Sequence, residues 1–272
     1  MGRISNRKIW TTFLIGPPVI ALIALGPPQV LFFLVFLATF LGLREFFDLT
    51  LPDTGRVERR TGIGLGLALS IVIVFGNKGN LSPAFVLLLL LLSILSMVLS
   101  KNLPSTVSTL AITFFGIFYI GFLLPHVSLI RKIPAGREWV LFLIATVWAG
   151  DIFALLGGVL WGRHKLYPKI SPNKTVEGLL TGVAGSVLVA VAFASFALPR
   201  LGKGLPILLG IGLGILGPLG DFTESMIKRS AQVKDSGSLF PGHGGMLDRI
   251  DSFLFSAPFL HYSLLYFWKE AP

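Results

Sequence analysis

Long apolar runs alternate with short polar gaps from one end of the chain to the other. Nine runs stand out, over 10–26, 28–47, 62–76, 83–100, 106–125, 139–161, 179–198, 205–226 and 250–268. A helix needs about 20 apolar residues to cross the hydrocarbon core of a bilayer. The runs lie near that length, and the third, over 62–76, is the short one. The pattern predicts an all-α, polytopic membrane protein of about nine transmembrane helices. The short third span is expected to tilt, re-enter or thin the bilayer. Pro17 and Pro18 are expected to kink the first, because proline removes a backbone donor.

Composition agrees. Of 272 residues, 53% are hydrophobic and only 13% are charged, with a mean hydropathy of +0.81 and 23 phenylalanines. A soluble domain is about 25% charged, so a soluble enzyme and a disordered chain are both excluded. The chain has no cysteine, which excludes disulfides, thiolate catalysis and thiolate metal sites. Basic Met1 to Lys8 followed by an apolar run resembles a signal peptide. No small-residue cleavage site follows, and Gly26-Pro27-Pro28 leads straight into the next run, so a retained first span is expected.

The formal net charge is +10. In a soluble protein that would suggest nucleic acid. Here the cations sit in the gaps, where positive-inside orientation explains them. With the N-terminus cytoplasmic, sixteen Lys and Arg fall on the cytoplasmic side and seven on the other. The gap holding Arg131, Lys132 and Arg137 runs against this bias. The expected location is a prokaryotic plasma membrane. No internal repeat is visible, which weakens a transporter reading.

Seven of the 13 acids fall between Asp151 and Asp251. The chain is therefore divided into an N-terminal membrane scaffold, 1–138, and a C-terminal catalytic membrane domain, 139–272. The early spans, lacking chemistry of their own, are expected to offer a homodimer contact.

Asp151 lies midway along the sixth span, where a carboxylate costs several kcal/mol unless paired, protonated or in a wet cavity. Asp221, Glu224, Ser225 and Lys228 share one helical face at the end of the eighth. A carboxylate and an ammonium on one face can hold a metal and a phosphate side by side. A plain Glu224–Lys228 pair explains the last turn, but not the deeper Asp221. Pro241-Gly242-His243-Gly244-Gly245 is a glycine-rich loop whose N–H groups can approach an anion. Asp248 and Asp251 open the ninth span three residues apart, which suits hard-cation binding; one of them could simply be an N-cap. Ser171 or Thr175 could cap the seventh span, with Lys174 near a helix N-terminus fit for phosphate. Gly212-x-Gly214-x-x-Gly217 matches a dinucleotide fingerprint but lacks the strand context. Gly210 and Gly214, like Gly178 and Gly182, read better as close helix packing. His126, His164 and His261 read as ordinary satisfied histidines. The topology converges these groups on one cytoplasmic mouth, which suggests metal-assisted phosphoryl or nucleotidyl transfer onto a lipid.

Ser225, Lys228 and Arg229, then Lys234-Asp235-Ser236-Gly237, then 241–245 and Asp248-Arg249-Ile250-Asp251-Ser252 resemble the signature of the phosphatidate cytidylyltransferases (CDP-diacylglycerol synthases). Asp151-Ile152-Phe153-Ala154 through 162–166, Ser171 to Gly178, and Gly220-Asp221 resemble it too. The resemblance covers about 100 residues of the C-terminal half. Asn173 stands where a second basic residue is expected. The resemblance implies transfer of the cytidylyl group of CTP to phosphatidate, with Mg²⁺, alone or with a second cation. It implies Asp221, Asp248 and Asp251 on metal and Lys228 among the catalytic residues. It implies substrate contacts from Asp151, Ser171, Asn173, Lys174, Thr175, Ser225, Arg229, Lys234, Asp235, His243, Gly244, Gly245 and Arg249. A CDP-alcohol phosphotransferase would carry an Asp-Gly-x-x-Ala-Arg pattern, which is absent.

Overall fold

The structure is a computed structural model that describes residues 6–52, 56–99, 103–199, 201–240 and 244–268. These form ten α-helices: α1 (Asn6–Leu25), α2 (Pro28–Thr50), α3 (Arg56–Phe75), α4 (Leu81–Leu99), α5 (Leu103–Gly116), α6 (His126–Lys132), α7 (Gly136–Trp161), α8 (Val176–Ala197), α9 (Gly204–Ser230) and α10 (Leu247–Phe267). One antiparallel hairpin, β1 (Lys165–Tyr167) and β2 (Ser171–Thr175), joins α7 to α8.

Every apolar run is helical, and six helical stretches among the described residues are long and apolar enough to cross a membrane: α2, α4, α5 through α6, α7, α8 and α9. The other expected spans differ for identifiable reasons. The helix over the short third run is completed to 20 residues by a first turn holding Arg56, Glu58, Arg59 and Arg60. Asp248, Arg249 and Asp251 lie in the opening turns of α10. α1 continues through Pro17 and Pro18, with a shorter apolar stretch over Gly16–Leu25. The fifth run is not one regular helix. α5 passes at Gly116 into a π-helical turn over Ile117–Phe122, and Pro125 starts α6.

Helices α7 to α10 pack through small residues. Lipid tails are as apolar as leucine, so close backbone approach and polar contacts must hold helices together. A Cβ on Gly182 of α8 would come 2.9 Å from both the Ala154 Cβ and the Gly150 carbonyl of α7. Gly210 and Gly214 of α9 face Val187 and Val183 of α8, and Gly220 faces the Asp251 and Ser252 backbone of α10. The glycines that mimic a dinucleotide fingerprint thus lie inside α9, with Gly212 against Phe259. The core includes Phe46, Phe47, Ile117, Ile120, Trp139, Phe142, Leu209, Leu213 and Leu260. Outward-facing Leu155, Val159, Leu160, Trp161 and Phe196 are left exposed, as lipid-facing residues are.

Candidate active site

The α7–α8 hairpin, the end of α9 and the start of α10 meet at one end of the bundle. Three side chains form the centre. Ligand oxygens of Asp221, Glu224 and Asp251 lie within 4.8 Å of one another. Asp221 and Glu224 are one turn apart on α9, and the close approach of Gly220 to the Asp251 backbone brings α10 beside them. Asp251 Oδ1 accepts the Ser252 N–H at 2.7 Å. The Ser225 hydroxyl donates to Asp221 Oδ1 at 3.2 Å.

Two lysines offset this negative charge. Lys174, from β2, pairs with Asp221 Oδ2 at 2.6 Å and lies 4.2 Å from the centroid of the Phe222 ring. Lys228 bridges Glu224 and Asp248, reaching Asp248 Oδ1 at 2.6 Å. Glu224 is fully buried (0% exposed), and among the described residues no hydroxyl or backbone donor reaches its oxygens. Three carboxylates against two ammonium groups leave the cluster short of positive charge, since Lys228 is shared with Asp248. A small hard cation fits such a set of oxygen donors.

Asp248 stands apart from the three-acid group because both its oxygens are engaged elsewhere. Oδ1 takes Lys228; Oδ2 accepts the Gly245 N–H at 2.8 Å, the Ser236 N–H at 2.9 Å and the Ser236 hydroxyl at 2.7 Å. It ties the loop down rather than facing the group of acids. Gly244 has φ +79° and a Cβ there would overlap Asp248 Oδ2. Only glycine meets both conditions without strain.

The remaining predicted residues distribute around this centre. Asp151 is within electrostatic reach of Asp221 and Lys174 from α7. Thr175 is the N-cap of α8, its Oγ1 accepting the Gly178 N–H at 3.1 Å, so the capping expectation holds there. Ser171 pairs with Tyr167 at the closed end of the hairpin, and Asn173 is exposed on β2. Ser171 to Thr175 form strand β2 and pair with β1 in an irregular register. Arg229 donates to the Ile170 and Val233 carbonyls, which fastens the hairpin to the segment after α9. Lys234, Asp235 and Arg249 are exposed at the rim. His243 lies outside the described residues. His164 is more than an ordinary histidine: its Nδ1 lies 2.6 Å from Glu177 Oε1, and Glu177 also accepts the Arg163 and His164 N–H groups.

Two residues of the first half reach the site unannounced by any motif. Tyr119, in the π-helical turn, is buried beside Asp221, Glu224 and Asp251, with its hydroxyl 3.4 Å from the Gly220 carbonyl. Glu45, on α2, binds the loop that precedes α10. The three-acid group, the Glu45 and Asp248 carboxylates, the flanking lysines and a glycine at positive φ at a membrane-helix end suit the handling of polyphosphate beside lipid.

A sequence model of the cytidylyltransferase family matches residues 6–267. The chain belongs to the cytidylyltransferase family. Its similarity extends to named bacterial proteins. It is 36% identical over 236 residues to a phosphatidate cytidylyltransferase of Staphylococcus haemolyticus, covering 85% of this chain and 88% of that one. It is 34% identical over 253 residues to one of Synechocystis, covering 83% and 85%. With the Bacillus subtilis enzyme of the same name it shares 40% identity over 150 residues, 55% of this chain and 56% of that. The family match takes in the first five apolar runs as well as the motif-bearing half.

Proposed function

We propose that the protein transfers the cytidylyl group of CTP to phosphatidate, giving CDP-diacylglycerol and pyrophosphate. The observation that carries this reading is the juxtaposition of Asp221, Glu224 and Asp251 with Lys174 and Lys228 at a membrane-helix end, in a chain of this family. An oxygen of the phosphatidate phosphate forms a bond to the α-phosphorus of CTP. The bond from that phosphorus to the β-phosphate bridging oxygen breaks, and pyrophosphate leaves with its electrons. The nucleophile is a phosphate monoester already ionised near neutral pH, so no side chain need remove a proton.

Both reactants are anions, so the work of the site is to neutralise charge and align the groups. Asp221, Glu224 and Asp251 would hold Mg²⁺. Bound there, the metal supplies charge stabilisation at the oxygens around the reacting phosphorus. Lys174 is kept at the mouth by Asp221 and Phe222, from where its ammonium reaches phosphate. Lys228 sets one ammonium between Glu224 and Asp248. Gly244, at positive φ, lets backbone approach the triphosphate, with Lys234 and Arg249 at the rim to draw it in. The site faces the cytoplasm, where CTP is, and the lipid arrives from the adjoining leaflet.

The test is isotopic. Purified protein in mixed micelles with phosphatidate and Mg²⁺ is given CTP labelled at either the α or the γ phosphorus. Label from the α position is expected in the lipid product and label from the γ position in pyrophosphate. Label from the γ position in lipid would make the protein a kinase instead.

A further inference from the structure

The N–H groups at the start of a helix lack intrahelical acceptors and must find them elsewhere. At α10 the N-cap is Met246, whose side chain supplies none. The acceptor comes from α2, two hundred residues earlier in the chain. Glu45 Oε1 accepts the Met246 N–H at 2.8 Å, and Oε2 accepts the Leu247 N–H at 2.8 Å and the Ser236 hydroxyl at 3.0 Å. The backbone is shaped to this carboxylate. A Cβ on Gly237 would lie 3.0 Å from Glu45 Oε1, and one on Gly245 would overlap Oε2.

Asp248 grips the same segment from the other side through Gly245 and Ser236. Ser236 is buried between the two carboxylates. Asp248 in turn holds Lys228, and Lys228 holds Glu224 of the three-acid group. An unbroken polar chain thus runs from α2 to the catalytic centre, with Ser236 and Gly245 pinned in its middle.

We propose that Glu45 is a positioning residue for CTP: from the N-terminal half, it fixes Ser236, Gly245 and the first turn of α10 in the register that receives the triphosphate. This rests on the transferase reading above. Two backbone N–H groups converge on Glu45, and the single Ser236 hydroxyl proton is shared between it and Asp248. Glutamine keeps its volume but offers one acceptor oxygen and sets an amide N–H₂ against a donor. Glu45→Gln therefore loosens the loop without emptying the space.

The experiment compares wild type, Glu45→Gln, Glu45→Asp and the control Asp48→Asn in full-length protein. Asp48 is three residues along α2 and pairs with Arg44 and Arg59 away from the loop. Glu45→Gln is expected to raise KM for CTP about tenfold while leaving KM for phosphatidate within about twofold. Glu45→Asp, which keeps both acceptor oxygens, is expected to recover part of that loss, and Asp48→Asn to behave as wild type. Amide exchange over 244–250 is expected to quicken in Glu45→Gln and to stay unchanged along α9. Wild-type constants for Glu45→Gln, or equal rises in both KM values, would overturn the proposal. So would unchanged exchange over 244–250. If wild type forms no CDP-diacylglycerol, the transferase reading fails, and the exchange comparison still decides whether Glu45 holds the loop.

Discussion

Lys228 sits between two carboxylates in a buried setting, and this makes its loss unusual. Removing one member of a buried ion network strands the others, at a cost of about 3–5 kcal/mol, whereas replacing a whole set by apolar groups is often neutral. Lys228→Met is therefore expected to lower Tm sharply. The double variant Lys228→Met with Glu224→Leu is expected to recover most of that stability and none of the activity. Thermal unfolding in one detergent, read beside product formation, checks both. Asp221→Asn and Asp251→Asn, at the part-buried acids, should cut turnover on the order of 100-fold or more with Tm nearly unchanged. Asp221 and Asp251 were legible as chemistry because acids in apolar helices need a reason. Glu224 was legible on the helical face it shares with Asp221 and as the partner of Lys228, and it is that partner as well as a member of the acid group. Glu45 and Tyr119 carried no signal, because their partners lie about a hundred or more residues away and no local pattern encodes such a contact.

At the scale of elements, α9 does most of the positioning. It packs on α8 through Gly210 and Gly214, on α10 through Gly220, and carries Asp221, Glu224 and Lys228 on one face. Overpacking a close helix contact costs about 1–3 kcal/mol. Gly182→Ala, which meets Ala154 and the Gly150 carbonyl, is expected to lower Tm by several degrees, and Gly64→Ala, with open space around it, to leave it unchanged. Differential scanning calorimetry of the two variants is the measurement. The apolar runs predicted these elements well, since lipid selects helices by apolar length. The β1–β2 hairpin was missed because 165–175 has no apolar alternation and contains Pro172; pairing with its neighbour, not propensity, makes it a strand. The opening charges of α3 and α10 hid helix beyond the apolar runs, because a helix does not end where its membrane-compatible stretch does.

For the whole molecule, the family match over residues 6–267 and the reach of Glu45 and Tyr119 into the site bear on how its halves cooperate. The motif-bearing half supplies the acids and lysines, and α2 with the π-helical turn supplies support. We infer the orientation from the charge bias. The absence of native cysteine makes it directly measurable. Ser238→Cys, beside the site, is expected to react with an impermeant maleimide only from the cytoplasmic side, and Lys203→Cys only from the other. The reverse pattern would turn the molecule over in the membrane.

The central claim is that one site unites CTP, phosphatidate and a divalent cation. The most direct measurement is pyrophosphate release by the purified protein with each of the three omitted in turn, and Asp221→Asn run alongside. Release is expected only when all three are present, with CDP-diacylglycerol formed in equal amount, and almost none from the variant. Release without phosphatidate, or an active Asp221→Asn protein, would contradict it.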